Sequence, residues 1–364
     1  MKNNKAHNDT LLSVNNLKTF FYTRKGMVKA VDNASFRVGR GEFVCLIGES
    51  GSGKSVSALS IMGLIDTTPG IVNGEIVFEG KNVLDGLKHV CTVTENRNSI
   101  DIVKNVAAWK RKHSSNLEGV RGRQIGMIFQ DPVSSLNPLF TVAEHIGESA
   151  GLLHGKLTRK QKFEIATDWL QRVRISSPKD VARAYPFQLS GGMAQRVMIA
   201  TALAAEPKLL IADEPTTALD ASVQLEILKL LKTIQEEMDL SILFITHDIS
   251  IGSNFSDSIA VMYAGRVVES GYTESIFGRD NNHPYTDGLL HAAMKVTTSA
   301  DDKKFIKGSP PDSVRRPSGC TFHPRCEMKH ELEDGGERCE REEPYEIIVN
   351  GNHYIRCWKY EPGH

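Results

Sequence analysis

Short runs of apolar residues, separated by glycines and polar residues, recur along the chain and predict the strands of a sheet. Phe43–Ile47, residues 209–212 and Ser241–Thr246 are almost wholly apolar, which is typical of parallel strands buried on both faces. Residues 11–47 alternate in strand-like fashion. Shorter segments with similar features predict two further strands and a closing hairpin: residues 74–80, 126–129 and 259–269.

Other segments carry apolar residues at helical spacing, and these predict helices: residues 55–65, 142–153, 159–173 and 192–205. Pro178 and Pro186 interrupt the long helical stretch. The succession of buried strands and helices predicts an α/β fold. Residues 85–120 are polar and only weakly periodic, so we interpret them as a solvated insertion without an assigned function rather than as a basic patch for a partner.

Composition and charge exclude several classes of protein. The 364 residues include 44 Lys and Arg against 44 Asp and Glu, so the formal net charge is zero. No overall electrostatic attraction therefore favours the binding of nucleic acid. No apolar run approaches the roughly 18 residues that a membrane-spanning helix needs. Residues 1–9 are polar and lack the apolar core of a signal peptide. We therefore expect a cytoplasmic protein that reaches a membrane only through a partner.

A phosphate-binding motif lies between the first apolar strand and the first predicted helix. Residues 48–55 fit G-x-x-x-x-G-K-[ST], the P-loop or Walker A motif. Its glycines allow a close backbone approach to an anion, and the helix start presents N–H groups to phosphate. Lys54 is expected to reach the β- and γ-phosphates and Ser55 to hold Mg²⁺. The predicted nucleotide-binding residues of this motif are Gly48, Glu49, Ser50, Gly51, Ser52, Gly53, Lys54 and Ser55.

Polar side chains follow three of the predicted strands. Asp213 and Glu214 end the run at residues 209–212 in the Walker B pattern, which delivers carboxylates to the edge where α/β sheets bind ligands. We expect Asp213 to hold Mg²⁺, mostly through water, and Glu214 to orient and polarise the attacking water. Gln130 ends another strand and is a candidate contact of Mg²⁺ or that water. His247 ends a third, and we expect it to contact the γ-phosphate.

Two further features concern the nucleotide. Residues 189–193 read Leu-Ser-Gly-Gly-Met, in which Ser190 is a good N-cap and Gly191 and Gly192 leave N–H groups open at a helix start, which makes a second anion site. An aromatic residue some 26 positions before the P-loop is a candidate to stack on adenine. Phe21 or Tyr22 fits this role, and the alternative is that both belong to a sheet face.

Four of the six cysteines lie near the end of the chain. Cys320, Cys326, Cys339 and Cys357 have the spacing C-x5-C-x12-C-x17-C, which lacks the tight pairs usual in structural zinc sites. Four thiolates with irregular spacing fit an iron–sulfur cluster as well or better, and four unligated thiols are a further alternative. Cys45 is expected to be a core residue, and Cys91 has no assigned role.

These motifs, in this order, resemble those of the ATPase subunit of ABC transporters: residues 48–55, Gln130, residues 189–193, residues 209–214, residues 218–220 and His247. The resemblance covers about residues 12–275. It implies a P-loop NTPase (RecA-like) core with an antiparallel β subdomain and a helical subdomain inserted at about residues 131–206. We therefore expect an ATPase domain over residues 10–275 that hydrolyses ATP with Mg²⁺.

The resemblance also implies how the subunit is assembled. Ser190, Gly191 and Gly192 of one subunit would complete the site built on Lys54 of a second ABC ATPase subunit, in a head-to-tail dimer. Asp220 would lie at the seam between the two sites. Gln130 and the segment after it would sense the coupling helices of a membrane partner.

Further residues narrow the resemblance to one branch of the family. Met193 stands where the general family most often has glutamine and the peptide-importer branch usually has methionine. Residues 48–56, 129–132, 283–286 and 319–326 together resemble the oligopeptide/dipeptide importer ATPases. This match implies that residues 276–364 form the C-terminal extension of that family and that its four cysteines hold a 4Fe-4S cluster, with zinc as the alternative. Residues 85–120 look longer than the family's usual connection.

The narrower resemblance implies a location and a set of partners. The chain would lie at the cytoplasmic face of the cell membrane, bound to two transmembrane permease subunits, with a solute-binding protein on the far side. The second ATPase is expected to be a related chain rather than a second copy. The alternatives are an ABC-type ATPase that acts on nucleic acid or ribosomes, which the zero net charge disfavours, and the same ATPase with a redox-regulatory cysteine cluster.

Overall fold

The computed structural model of the chain describes residues 9–95, 100–217, 219–278, 281–294 and 306–362. These residues fall into two compact units, each built from separate stretches of sequence. The first unit takes the described parts of Met1–Leu11, Val38–Phe43 and Leu117–Ile245. The second takes those of Leu12–Arg37, Val44–Asn116 and Thr246–His364.

The strands, in chain order, are β1 (Thr10–Thr23), β2 (Gly26–Gly39), β3 (Phe43–Ile47), β4 (Pro69–Phe78), β5 (Lys81–Asn82), β6 (Cys91–Glu95), β7 (Ile100–Lys104), β8 (Ile125–Ile128), β9 (Leu209–Asp213), β10 (Ser241–Thr246), β11 (Ser258–Tyr263), β12 (Arg266–Tyr272), β13 (Ile347–Asn350) and β14 (His353–Ile355). Every residue of β3, β9 and β10 is buried, as the apolar runs predict.

The helices, in chain order, are α1 (Lys54–Ile61), α2 (Leu87–Val90), α3 (Val106–Leu117), α4 (Pro132–Ser135), α5 (Val142–His154), α6 (Arg159–Arg172), α7 (Pro178–Arg183), α8 (Gly191–Leu203), α9 (Ala221–Met238), α10 (Ile249–Phe255), α11 (Thr273–Phe277), α12 (Pro284–Met294) and α13 (Glu337–Arg341). Short 3₁₀ helices cover Pro186–Gln188, His323–Arg325, Glu327–Glu331 and Trp358–Tyr360.

The first unit contains a parallel arrangement of three strands, in the order β10, β9, β8. Ala212 of β9 lies opposite Phe244 on one side and Ile128 on the other. The unit also contains the helical stretch α5 to α8. Because consecutive parallel strands bring their carboxyl ends to one edge, the polar residues that follow β8 and β9 come together there.

The second unit contains two larger sheets in addition to the pair formed by β6 and β7. β1, β2, β4 and β5 form an antiparallel sheet in the order β2-β1-β4-β5. β3 pairs in parallel with β11, β11 pairs with β12, and β12 continues through β14 to β13. The strands of the C-terminal extension therefore add to the sheet that begins at the P-loop strand, with Ile355 opposite Glu269.

Residues 85–120, interpreted above as a solvated insertion, contain regular secondary structure. β6 and β7 form an antiparallel hairpin, and α3 follows with Trp109 buried. The ammonium of Lys104 lies 5.0 Å from the centre of the Trp109 ring and donates to the carbonyl of Pro69 at 2.8 Å. The side-chain amide of Asn116 donates a hydrogen bond to the carbonyl oxygen of Val83 at 3.2 Å. Few apolar residues suffice to anchor this element, which is why its periodicity is weak.

One predicted helix also ends earlier than its apolar spacing indicates. α1 ends at Ile61 rather than at residue 65, because Gly63 adopts a φ of 64°, which a continuing right-handed helix excludes. None of the helices among the described residues combines the length and the apolar character that crossing a bilayer requires.

Candidate functional site

The P-loop connects β3 to α1 within the second unit, and two of its glycines are required by close backbone contacts. A Cβ on Gly48 would lie 2.1 Å from the carbonyl oxygen of Met262. Gly53 has a φ of +105°, and a Cβ there would lie 2.4 Å from the carbonyl oxygen of Ala30. No other residue type fits either position, so the loop can keep its curvature only with glycine.

Lys54, the first residue of α1, lies within the curve of this loop. Its side chain is 4% exposed, and the ammonium donates to the carbonyl oxygens of Gly48 at 2.7 Å and Glu49 at 3.0 Å. The amide of Ser52 donates to the carbonyl of Glu49, and the amide of Gly265 donates to the carbonyl of Ser52. The loop is thus held from several sides, with a buried cation at the start of a helix, an arrangement that favours anion binding.

The first unit brings two predicted site residues together. Gln130 follows β8 and Glu214 follows β9. The side-chain amide of Gln130 donates from Nε2 to Oε2 of Glu214 at 3.4 Å. Thr217, which the sequence analysis missed, donates its hydroxyl to the same oxygen at 3.0 Å. Two donors on one carboxylate oxygen fix the orientation of Glu214. The run of polar residues after the strand was the signal for Thr217.

Backbone geometry also sets the direction of the Glu214 side chain. Glu214 has a φ of 46°, in the left-handed region that non-glycine residues rarely adopt, and its amide donates to the carbonyl of Ile245 on β10 at 3.0 Å. Asp213, the last residue of β9, is 6% exposed. Strain of this kind is typical of functional positions, because the surrounding structure must hold it in place.

The Leu-Ser-Gly-Gly-Met segment lies at the start of α8, as predicted. Ser190 is the N-cap and accepts the amide of Met193 at 3.4 Å, and both Ser190 and Gly191 are exposed. A Cβ on Gly192 would lie 3.3 Å from Val223 of α9, so the two helix starts are neighbours. Asp220 caps α9 by accepting the amides of Ser222 and Val223 at 3.0 Å. Ala218, in the same predicted motif, lies outside the described residues.

The remaining residues that are predicted to contact the nucleotide lie on separate elements. Phe21 lies opposite Pro69 in the pairing of β1 with β4 and is partly buried. Tyr22, beside it, is 54% exposed. His247 is exposed in the turn between β10 and α10. The roles of these three residues stay predictions.

The four C-terminal cysteines interact electrostatically. Burial raises the pKa of the Cys320 and Cys357 thiols to about 12 and that of Cys339 to about 11, and the pKa of Cys326 is also raised. Mutual repulsion among the thiolates adds to the shift. Across the part of the chain that the structure describes, no three Cys, His, Asp or Glu side chains are arranged to hold a metal ion. The predicted cluster and its zinc alternative therefore find no support in this arrangement.

Comparison with models of protein families shows which family the chain belongs to. The family model described as ABC transporter matches residues 31–217, which include the P-loop, Gln130 and Glu214. The chain belongs to the ABC transporter family. A second model, for the C-terminal region of oligopeptide/dipeptide transporters, matches residues 268–332. The resemblance stated from the motifs is therefore confirmed.

Relatives of this family match nearly the whole chain. The chain is 40% identical over 353 residues to the oligopeptide transport ATP-binding protein AppD of Bacillus subtilis, covering 97% of both chains. It is 38% identical to the dipeptide transport ATP-binding protein DppD of Lactococcus lactis, covering 97% of this chain and 92% of that protein.

Solved structures of ABC proteins have the same fold. One is the dimeric ATP-binding cassette MJ0796 bound to ADP and Pi, with a TM-score of 0.57 and 27% identity over 72% of this chain and 98% of the other. Another is cbiO1 from Clostridium perfringens, part of the ABC transporter complex cbiONQ, with a TM-score of 0.56 and 26% identity over 79% of this chain and 96% of the other. The predicted P-loop NTPase fold is confirmed.

Proposed function

We propose that the chain is the ATP-hydrolysing subunit of an ABC importer that drives the uptake of peptides, or of a related small solute, across the cytoplasmic membrane. The names of the relatives support the peptide class, since AppD and DppD are oligopeptide and dipeptide transport ATP-binding proteins. The match of residues 268–332 to the C-terminal region of oligopeptide/dipeptide transporters supports the same class, because general ABC ATPases need no such region.

The observation that carries the catalytic assignment is the carboxylate of Glu214, held by Gln130 and Thr217 on one of its oxygens. A carboxylate fixed at the end of a buried strand can accept a hydrogen bond from a water molecule and polarise it toward the γ-phosphate. Because phosphoryl transfer depends mostly on positioning and electrostatics, a fixed orientation matters more than an unusual basicity. Glu214 is therefore the proposed general base.

Binding of ATP is assigned to the P-loop. Its amides, with the dipole of α1 behind them, would receive the phosphates, and Lys54 would exchange its carbonyl partners for phosphate oxygens. Ser55, Gln130 and Asp213 offer the hard oxygen donors that suit Mg²⁺, which neutralises phosphate charge when bound. Phe21 or Tyr22 is proposed to stack on the adenine, and His247 to contact the γ-phosphate.

A dimer completes the proposed site. Ser190 and Gly191 are exposed at the start of α8, which leaves them accessible to a second subunit. The solved dimer of MJ0796 with ADP and Pi supports such an assembly for this fold. Asp220, on the neighbouring helix start, is proposed to lie at the seam. A related chain is proposed as the partner rather than a second copy.

The proposed membrane partner would dock near Gln130. Large apolar side chains are exposed after β8 and before α8, including Leu139 at 80% and Phe187 at 71%. Tyr185 and Phe187 stack with ring centres 5.7 Å apart. Exposed aromatic residues of this kind often mark protein contacts. We assign this surface to the permease subunits, which places the chain at the cytoplasmic face of the membrane.

The function is tested by uptake in cells that lack this chain. Wild-type protein should restore uptake of a dipeptide or an oligopeptide, and Lys54→Ala should not, because it loses the cation that binds the phosphates. Lys160→Ala is the matched control, since Lys160 makes only an exposed ion pair with Glu164 on α6. Purified Lys54→Ala should also bind ATP more weakly. If wild-type protein restores no peptide uptake, or if Lys54→Ala restores it fully, the proposal fails.

The 4Fe-4S cluster is a separate proposal, based on the residue types of Cys320, Cys326, Cys339 and Cys357 rather than on their arrangement. No step of ATP turnover is derived from it. Protein purified without oxygen should be brown, with broad absorbance that is lost on dithionite reduction and in Cys320→Ser. Colourless protein that contains zinc would support the alternative, and metal-free protein would overturn both.

A further inference from the structure

An ion pair joins the C-terminal extension to the P-loop. Arg325 donates from Nη1 to Oε2 of Glu49 at 2.8 Å and from Nη2 to Oε1 of Glu49 at 3.1 Å. This two-pronged geometry is the strongest form of an arginine–carboxylate contact. The Arg325 side chain is 6% exposed and that of Glu49 is 29% exposed, so solvent screens the pair only in part. Glu49 is the second residue of the P-loop motif, where general phosphate binding requires no carboxylate.

A second group from the C-terminal part of the chain holds the backbone of the same residue. The hydroxyl of Tyr285 on α12 accepts the amide of Glu49 at 2.9 Å. Tyr285 is fully buried, and its ring packs against Tyr263 and Phe322, with centres 4.6 and 5.5 Å away. Nη1 of Arg325 also donates to the Tyr263 hydroxyl at 3.3 Å. Glu49 is therefore fixed at its amide and its side chain by one packed cluster.

The carbonyl of Glu49 faces into the P-loop. It accepts the ammonium of Lys54 at 3.0 Å and the amide of Ser52 at 3.2 Å. One residue thus connects the C-terminal cluster to the two groups that shape the phosphate-binding curve. A displacement of Glu49 would move the carbonyl that positions Lys54. Since backbone amides bind phosphate only in a preorganised curve, the position of Glu49 matters for affinity.

Charge provides a second reason for the contact. A carboxylate in a loop that receives polyphosphate would repel it, unless a cation neutralises the carboxylate. Arg325 provides that cation and turns the Glu49 side chain toward itself. It directly precedes Cys326, so any movement of the segment from Cys320 to Cys326 also moves the guanidinium. The phosphate loop is thereby linked to the cysteine segment through one side chain.

We propose that Arg325, together with Tyr285, is a positioning residue for the P-loop, so that ATP affinity depends on the C-terminal extension. This inference rests on the proposed function of the P-loop as the ATP site. Arg325 does not touch the reacting atoms. Its role is to hold Glu49 neutralised and in place, and through Glu49 to hold the loop around Lys54.

The test compares ATP binding by purified variants. Arg325→Ala should raise the Kd for ATP at least about tenfold, because it frees a carboxylate inside the phosphate loop. Adding Glu49→Gln should restore part of the affinity, because it removes that carboxylate, and a purely structural role of Arg325 would not produce such rescue. The Arg325→Ala defect should also shrink with added salt. A variant that binds ATP as tightly as wild type would overturn the proposal.

Two further variants make the result specific. Arg338→Ala breaks another two-pronged pair in the extension, with Glu361, that does not involve the P-loop, and it should leave the Kd unchanged. Tyr285→Phe removes only the hydroxyl that accepts the Glu49 amide, so it should fold and still weaken ATP binding several-fold. A loss of ATP affinity in Arg338→Ala equal to that in Arg325→Ala, or no loss of affinity in Tyr285→Phe, would contradict the proposal.

The same assay separates this inference from the proposed function. If wild-type protein fails to bind ATP, or if Lys54→Ala binds it equally well, then the ATP site itself is wrongly assigned. If wild-type protein binds ATP, Lys54→Ala does not, and Arg325→Ala equals wild type, then only the link to the C-terminal extension is wrong.

Discussion

At the scale of the residue, the backbone and the side chain of Glu214 are both held in a fixed orientation. Its backbone adopts a left-handed φ of 46°, and its carboxylate receives Gln130 and Thr217 on one oxygen. The strain is sustained because the Glu214 amide is bonded to Ile245. These constraints restrict the carboxylate to one direction, which a general base needs and a merely structural surface glutamate does not.

Glu214→Gln should leave ATP binding intact while the rate of hydrolysis falls by roughly 10² or more, the loss expected when a general base is removed. Phosphate release and nucleotide binding are measured on the same preparation. Thr217→Val removes one hydrogen bond to the carboxylate but keeps the base, so the rate of hydrolysis should fall less than in Glu214→Gln. Unchanged turnover in Glu214→Gln would remove Glu214 from its role.

His283 should make the second unit sensitive to acid. Burial lowers its pKa from 6.5 to about 3, and its Nδ1 accepts the amide of Tyr285 at 3.1 Å, which requires an unprotonated nitrogen. Between these pKa values the unfolded chain binds the proton and the folded chain does not. The free energy of unfolding should therefore fall as the pH drops below 6.5, by up to about 1.4 kcal/mol per pH unit.

Denaturant titrations between pH 7 and pH 4.5 measure this slope. His283→Asn should flatten it, whatever its effect on stability at neutral pH. His154→Asn, at the exposed end of α5, should leave the slope as in wild type. Identical slopes in wild type and His283→Asn would show that His283 is not the group responsible.

At the scale of the element, the helix starts of the first unit differ in how completely they are capped. α5 and α6 begin with reciprocal capping boxes, Thr141 with Glu144 and Thr158 with Gln161. α8 begins with Ser190, whose side chain accepts the amide of Met193 at 3.4 Å without a reciprocal bond from the Met193 side chain. Each capping box satisfies two of the N–H groups at its helix start, whereas the side chain of Ser190 satisfies one at the start of α8.

This difference predicts opposite effects of alanine at two caps. Thr141→Ala should lower the free energy of unfolding by about 1 kcal/mol, the usual cost of a lost cap, with little effect on turnover. Ser190→Ala should cost less stability and lower ATP hydrolysis more, because the proposed partner of Ser190 is the nucleotide of the other subunit. Chemical denaturation and phosphate release measure the two quantities. Equal effects of both substitutions on turnover would contradict the assignment of α8.

At the scale of the whole molecule, the proposed function depends on assembly with a second subunit. The P-loop belongs to the second unit, whereas Asp213, Glu214 and the start of α8 belong to the first. Ser190 and Gly191 are exposed, and in the proposed dimer they contact the nucleotide of the other subunit. Assembly is therefore part of the proposed mechanism rather than an addition to it.

Glu214→Gln protein mixed with ATP and Mg²⁺ should form a dimer, because nucleotide binds and is not hydrolysed. Size-exclusion chromatography with light scattering measures the mass, for the chain alone and with the related ATPase subunit. Adding Ser190→Arg should prevent the dimer, since a bulky cation would block the start of α8. A strictly monomeric Glu214→Gln protein under both conditions would refute the proposed assembly.

Much of this protein could be predicted from local patterns. The apolar runs at β3, β9 and β10, the helices α5, α6 and α8, and the P-loop depend on short-range chemistry that a sequence displays directly. The elements within residues 85–120 could not be predicted, because a few buried residues such as Trp109 and a hydrogen bond of Lys104 anchor them rather than a periodic apolar face. Arg325 and Tyr285 escaped notice as contacts of Glu49, since nothing local relates them to a residue more than 230 positions away.

The amino-acid sequence by itself determined the class of fold, the P-loop and the order of the motifs, because glycine positions, strand hydrophobicity and terminal carboxylates act over a few residues. Only the tertiary structure decided which oxygen of Glu214 meets Gln130 and Thr217, and which C-terminal side chains hold Glu49. Those contacts depend on strand register and on the packing of distant segments. Both are properties of the folded chain and leave no periodic trace in the sequence.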